Sequence, residues 1–499
     1  MSDPLLSPPR DGVLDRLKAV VGPAGFLEAP ADTEPYRTGF GGTFRGAARL
    51  VLRPASTAEA AAVVALCCEA RIPMVPQGGN TGLAGGAAPD GSGAAVVICL
   101  DRMRRVRAAD ADNDTLTVEA GVTLSEVQAA AAGIDRLFPL SLASEGSCRI
   151  GGNLATNAGG TQVLRYGNMR ALTLGLEVVL PDGRVWNGLR GLRKDNAGYD
   201  MKQVFIGSEG TLGLITAATL RLFPRPRAVE TAMLAIADAG AAVRLLGRAR
   251  GLLGESLTAF ELMRAPSLIH AIAAVPGLAS PFAAAHPWYL LVEASGQDRG
   301  DGLKAALEAF LERACEDGLA ADAVVAASLA QRQRLWALRE AQAEAQKHAG
   351  QGVKHDISVP VSAIPAFLAR ADAALAQAFP GILPFTFGHV GDGNLHYNPI
   401  MPAGWSVDER AAGPAAITRI VHDVVADLGG SISAEHGLGQ LRVAEAEHYK
   451  APVELAMMRA LKAAFDPLGL MNPGKVLRAL PEAVPSPAPG APGADPARH

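Results

Sequence analysis

Three glycine-dense polar loops constrain this chain more than any other feature. They occupy residues 77–86 (QGGNTGLAGG), 150–160 (IGGNLATNAGG) and 207–213 (GSEGTLG). Glycine lets a backbone turn through positive φ and approach a ligand closely, and its bare N–H groups form nests for anions. The first loop follows an apolar run at 72–76 that reads as a strand. Around it the pattern predicts strands at 51–52, 94–99, 115–119, 175–180 and 213–223, with helices at 13–21, 56–70 and 124–132. Ser56 reads as an N-cap. Three such loops in one α/β unit point to a long dinucleotide or multi-phosphate ligand. None carries the GxGxxG fingerprint of a nicotinamide site. Gly469-x4-Gly474-Lys475 matches most of a nucleotide phosphate loop, but it ends in Val476 and follows no strand, so it is rejected.

At 499 residues the chain has room for about three domains. The Pro224-Arg225-Pro226 step marks a boundary. The expected division is 1–226 for the loop-bearing domain with an N-terminal helical extension, and 227–407 for an α+β domain with strands at 231–236 and 289–293 and a long helix at 326–348. Residues 408–480 read as a helical C-terminal domain, and the Pro/Ala/Gly-rich 481–499 as a disordered tail. A net charge of −4 argues against a nucleic-acid binder that relies on a basic surface. Mean hydropathy is +0.17, yet no apolar run approaches the roughly 20 residues that span a bilayer. Five cysteines without a CxxC argue against a disulfide framework. Residues 1–15 carry acids and no apolar h-region, so they read as neither signal nor transit peptide. The expected location is cytoplasmic.

A second constellation lies in the C-terminal half. Residues 387–398 read FGHVGDGNLHYN, and 433–439 read SAEHGLG. Two His flanking a tight Gly-Asp-Gly-Asn turn can face each other across a hairpin. With a Glu they form a two-His, one-carboxylate ligand set that leaves positions open for substrate; zinc, manganese, cobalt or iron would fit. His389, His396 and Glu435 are the candidate ligands. Glu435 and His436 point apart if both lie on a strand and converge only in a turn, so His436 is assigned to proton transfer, where a neutral imidazole suits a base. Arg339 and Lys354 are candidate cations for an acidic substrate.

The segments 76–86, 146–160, 194–200 (KDNAGYD) and 205–216 resemble the FAD-binding domain of the vanillyl-alcohol oxidase/PCMH superfamily. With GHVGDGNLH, SAEHGLG and MNPGK at 471–475, the chain resembles the FAD-linked D-2-hydroxy acid dehydrogenases over roughly 45–478. The resemblance implies an α+β fold: a PCMH-type FAD-binding domain of two α/β subdomains, a ferredoxin-like α+β substrate (cap) domain, and a helical C-terminal segment packing back on the FAD domain. It implies FAD contacts from Pro76, Gly78, Gly79, Asn80, Thr81 and Gly82 at the pyrophosphate. Gly146, Gly152, Asn153, Thr156, Asn157 and Gly160 would lie on the ribityl and flavin side, with Ile215 at the adenine end and Asn472 returning to the flavin. It implies a divalent metal, often zinc, on His389, His396 and Glu435, and substrate contacts from Arg339, Lys354, Asn398 and His436, the last as base. The implied activity is oxidation of a D-2-hydroxy acid (D-2-hydroxyglutarate, D-lactate or similar) to the 2-oxo acid, with a quinone or electron-transfer flavoprotein as acceptor and a homodimer as assembly. The alternatives are a flavin oxidase or ether-lipid-synthase-like transferase, and a glycolate oxidase-type subunit of a larger complex. Ala343 stands where 2-hydroxyglutarate enzymes carry a Thr hydroxyl. No His lies between residues 1 and 269, so noncovalent FAD is expected, with Cys148 the one thiol left open for a link.

Overall fold

The computed structural model describes residues 12–298 and 300–478; the tail expected at 481–499 lies outside them. The first sheet has the order Phe26–Leu27, Val51–Leu52, Val96–Cys99, Met74–Gln77, parallel among its last three strands. Helix Thr57–Ala70 makes the crossover; Ser56 caps it, its Oγ accepting from Glu59 N–H at 3.2 Å. Val96–Cys99 is buried along its whole length, as an apolar run without alternation requires of a central parallel strand.

A second sheet is antiparallel, in the order Val106–Asp110, Thr115–Glu119, Leu214–Arg221, Thr173–Val179, Val185–Gly188. It packs on helices Leu124–Gly133 and Ile150–Ala155 through Leu116, Val127, Ile150 and Leu176. Together these sheets form the loop-bearing half, and the glycine loops emerge where they meet.

The third sheet has seven antiparallel strands: Asp322–Val325, Ala228–Ile236, Trp288–Gly296, Leu257–Arg264, Thr386–His389, Asn394–Tyr397, Asp356–Ser358. Helices cover both faces. Ala239–Leu253, Gly302–Glu316 and Ile364–Ala378 pack on one, and Ala265–Ala274 and Leu329–Glu340 on the other. The single helix expected over 326–348 is corrected. Residues 322–325 pair as an edge strand, Ser328 caps a helix that starts at Leu329, and a second helix, Gln342–Ala349, follows Ala341. The Ser328 hydroxyl accepts from Gln331 N–H, a local bond that only a helix start satisfies.

The C-terminal helices divide between the two halves. Val407–Asp427 buries Ile417, Val421 and Val425 in the cap core. Pro452–Phe465 reaches back to the first half, where Phe465 meets Phe205 edge-on at 5.4 Å. Met471 then forms a parallel bridge to Met74, and Asn472 N–H donates to Met74 C=O at 2.7 Å. The turn between these helices, 433–439, is thereby stretched across the seam between the two halves.

Candidate functional site

The three glycine loops frame an open cleft. They touch backbone to backbone: a Cβ on Gly78 would lie 3.2 Å from Gly152 N, and one on Gly79 only 2.1 Å from Ser147 C=O. Pro76, Gly78, Gly79, Asn80, Thr81, Gly82, Gly152, Asn153, Thr156 and Ile215 line the cleft, as does His436. Four more residues expected at the cofactor do not line this cleft and have other surroundings. Gly146 is exposed beside open space. Asn157 Oδ1 accepts from Arg170 N–H, and Gly160 N–H donates to Glu435 Oε1 at 2.6 Å. Asn472 Nδ2 donates to Gly86 and Glu209 carbonyls, tying the returning terminus to the first and third loops.

The cleft fits an extended anionic ligand. Arg149 lines it, and its Nε, a donor, is buried without a partner. Such a group is costly unless something meets it. Cys148 is 2% exposed, meets Asn153 Nδ2 at 3.6 Å and is absent from the cleft wall.

At the seam, the hairpin Thr386–His389/Asn394–Tyr397 sets Phe387 opposite His396 and His389 opposite Asn394. His389 and His396 thus share one face, with ring centroids 5.6 Å apart. Glu435 arrives from the 433–439 turn. One ligand atom from each of His389, His396 and Glu435 lies within 4.8 Å of the others. Asp356, His396 and His436 form a second such group. The Asp356 carboxylate is already committed: Oδ2 accepts from the Glu435 and His436 backbone N–H groups at 2.8 Å, and Oδ1 from Asn394 Nδ2. In the first set Glu435 engages only Oε1, and His389 is held at Nδ1 by Glu261, while its Nε2 meets only Arg339 Nη2 at a long 3.5 Å. The set's two imidazoles and one carboxylate suit a borderline divalent cation.

Asp356 therefore builds the turn. By holding both adjacent N–H groups it lets Glu435 and His436 face the same site, the convergence a strand forbids. Burial pushes the Asp356 carboxyl up, but the His436 and His396 charges outweigh it and hold it at about 2. His436 Nδ1 lies 3.5 Å from Asp356 Oδ2, leaving Nε2 free, and its ring stacks on His396 at 5.9 Å.

Arg339 is 8% exposed, sits over the Phe387 ring at 4.9 Å, and its Nη2 lies 3.5 Å from His389 Nε2. Its Nε donates to Glu261 Oε2 at 2.7 Å, while Glu261 Oε1 lies 2.7 Å from His389 Nδ1. Burial raises the Glu261 carboxyl, and the His389 and Arg339 charges overcome this, leaving it at about 2. Lys354 precedes Asp356 by two residues and is exposed. Asn398 is buried with its amide engaged: Oδ1 accepts from His355 N–H, and Nδ2 donates to Gln346 Oε1. Ala343 is exposed on helix Gln342–Ala349, one turn after Arg339.

Sequence reading missed Arg149, Glu209, Glu261 and Asp356. Glu209 has φ 53° and accepts from the Leu438 and Gly439 N–H groups, joining the third loop to the 433–439 turn. Glu261 leaves a detectable trace, a lone carboxylate inside the buried strand LTAFELMR. Asp356 leaves none, because its partners are 38 to 80 residues away.

Two family models match the chain: an FAD binding domain over 48–188 and the C-terminal domain of FAD linked oxidases over 225–476. A curated Bos taurus D-2-hydroxyglutarate dehydrogenase, mitochondrial, is 38% identical over 468 residues, covering 93% of this chain and 83% of that protein. A probable mitochondrial D-2-hydroxyglutarate dehydrogenase of Oryza sativa subsp. indica is 37% identical over 461 residues, covering 92% and 80%. The D-2-hydroxyglutarate dehydrogenase of Xanthomonas citri pv. viticola is 38% identical over 448, covering 90% and 93%. Among solved structures, p-cresol methylhydroxylase superposes with a TM-score of 0.72 at 17% identity, over 94% of this chain and 98% of that one. Alkyldihydroxyacetonephosphate synthase gives 0.72 at 18%, over 94% and 86%. These structures establish the PCMH-type fold. The cytoplasmic expectation is corrected by the relatives: the bovine and rice proteins are named mitochondrial, so an acidic opening segment does not assign the compartment. Among the described residues no helix is long and apolar enough to cross a membrane. The glycine-loop cleft, the fold and relatives matched over nine-tenths of the chain agree: this chain belongs to the FAD-linked D-2-hydroxy acid dehydrogenase family.

Proposed function

We propose that this protein is an FAD- and divalent-metal-dependent dehydrogenase that oxidises a D-2-hydroxy acid to the 2-oxo acid and hands electrons to a quinone or an electron-transfer flavoprotein. The observation that carries the reading is the seam itself. His389, His396 and Glu435 converge within 4.8 Å, beside a His436 that lines the glycine-loop cleft. The names of the relatives make D-2-hydroxyglutarate the first substrate to test.

FAD, held noncovalently by the three loops, supplies the hydride acceptor. A divalent ion on His389, His396 and Glu435, zinc by its donor set, supplies Lewis acidity. The chain's own residues do the rest. Arg339 offers a planar fork to the substrate carboxylate, and Lys354 adds a point charge. Asn398 braces the hairpin against helix Gln342–Ala349 and keeps one amide hydrogen for substrate. His436 takes the hydroxyl proton at Nε2, while Asp356 beside Nδ1 holds the ring and favours the charge it gains. Glu209 and Asp356 fix the turn from opposite sides, so the base is positioned before substrate arrives.

The test is an anaerobic visible spectrum of the purified protein titrated with D-2-hydroxyglutarate, D-lactate, D-malate and their L-isomers, with and without EDTA. Bleaching of the flavin band by one D-acid, abolished by EDTA and restored by zinc, is the expected result. Bleaching that EDTA leaves untouched removes the metal from the reading. A protein bleached by none of these acids removes the substrate class.

A further inference from the structure

His389 and Arg339 have different tasks in the proposed reaction, yet one buried carboxylate holds both. Glu261 is 1% exposed and sits between buried Phe260 and Leu262, directly opposite His389 in the sheet. An isolated carboxylate there is costly unless both oxygens are met. They are met by the two site groups, at 2.7 Å each: Oε1 by His389 Nδ1, Oε2 by Arg339 Nε.

We propose that Glu261 is a positioning residue that sets the metal site and the substrate site together. Its Oε1 keeps the His389 proton on Nδ1, so that Nε2 is presented to the metal. Its Oε2 fixes the rotation of the Arg339 guanidinium that faces the substrate carboxylate. The inference rests on the metal and substrate roles proposed above for His389 and Arg339. Only a carboxylate serves both partners, because both donate. A glutamine amide meets one with its oxygen and opposes the other with its NH2. Carboxylates that orient a ligating imidazole are worth about 10–100-fold in metal affinity.

The experiment titrates FAD-loaded protein with zinc against a competing chelator, with no hydroxy acid present, and reads KM and kcat for D-2-hydroxyglutarate separately. Glu261→Gln is compared with Glu293→Gln. Glu293 is a matched buried carboxylate on the neighbouring strand, but it holds Thr231 and Trp336 instead of site residues. Glu261→Gln is expected to weaken zinc about 10–100-fold and to raise KM more than it lowers kcat, with Glu293→Gln at wild-type values. Zinc affinity within about threefold of wild type in Glu261→Gln, or an equal loss in Glu293→Gln, overturns the proposal. If Glu261→Gln gives no flavin-loaded protein, Glu261→Asp reads the same point: its carboxylate is withdrawn by one methylene, and wild-type zinc affinity there overturns the proposal. A wild-type protein that takes up no zinc fails differently, removing the metal role itself and this inference with it.

Discussion

Gly79→Ala asks whether the first two glycine loops form one wall of the FAD cleft. A methyl at position 79 would lie 2.1 Å from the Ser147 carbonyl oxygen and 2.9 Å from Cys148 Cα. Close C···O contacts lie near about 3.3 Å, so the loops must part by about 1.2 Å. The obstructing atoms are backbone, held by Ser147 and Cys148 N–H groups donating to Ser144 C=O at 2.9 and 2.8 Å. They cannot swing aside as a flexible side chain would. Overpacking of this kind costs about 1–3 kcal/mol. Charged to the closed loop pair, that weakens FAD by about 5–150-fold. The assay is titration of FAD into flavin-free enzyme, followed by quenching of flavin fluorescence, with thermal unfolding in parallel. Gly146→Ala is the matched control. Its methyl meets nothing within 4 Å and lies off the cleft wall, so its FAD affinity stays within about twofold of wild type. Wild-type FAD affinity in Gly79→Ala, or an equal loss in Gly146→Ala, refutes the account of the loops as a single wall.

Other outcomes follow from the seam. His436→Ala keeps FAD and its visible spectrum but lowers turnover at least about 10²-fold, a typical acid–base contribution; near-normal turnover would remove the base assignment. Glu435→Gln keeps the bond from Gly160 N–H through its amide oxygen and therefore keeps FAD, but it loses stoichiometric metal in elemental analysis; metal retained at wild-type level counts against Glu435 as ligand. His355 and His422 give the metal-free protein an acid-sensitive core. Burial, with Arg442 adding like charge, pushes His355 down to about 3. Burial, with His355 adding like charge, pushes His422 down to about 2. The unfolded chain takes up these protons near pH 6.5 and the folded chain does not. Stability is therefore full above that pH and falls toward pH 3, by up to about 1.4 kcal/mol per unit for each His. Urea unfolding of metal-free protein between about pH 7 and 5 reads the slope, and His355→Gln flattens it; an unchanged slope in that variant refutes the assignment.

Much of the cofactor side was legible because its signals are local. A glycine loop after a strand is recognisable within a dozen residues, since the absence of side chains is itself the device. Ten of the residues expected at FAD line the cleft. Gly146, Asn157 and Gly160 from the second loop, and Asn472 from the C-terminal segment 471–475, were expected there from the resemblance and do not line the cleft. Gly160 is the instructive case. It sits in the second loop, yet its N–H serves Glu435, a residue 275 positions away. The helix expected at 326–348 starts only at Leu329 and breaks at Ala341, and alanine-rich periodicity runs through that break without registering it.

The sequence by itself determined the local geometry of this protein: loops bare enough to take a nucleotide, a hairpin that puts two imidazoles on one face, and an Glu-His pair in a glycine-flanked turn. Tertiary structure decided how those pieces meet. The stretched segment 433–439 is pinned by Asp356 from the cap half and by Glu209 from the loop half, through hydrogen bonds spanning 79 to 230 residues. Glu261 joins His389 and Arg339 only because three distant segments are neighbours in the folded cap. The physical reason is range. Backbone conformation is set by a residue and its near neighbours, whereas a buried carboxylate takes its meaning from whichever donors the packed chain brings to it.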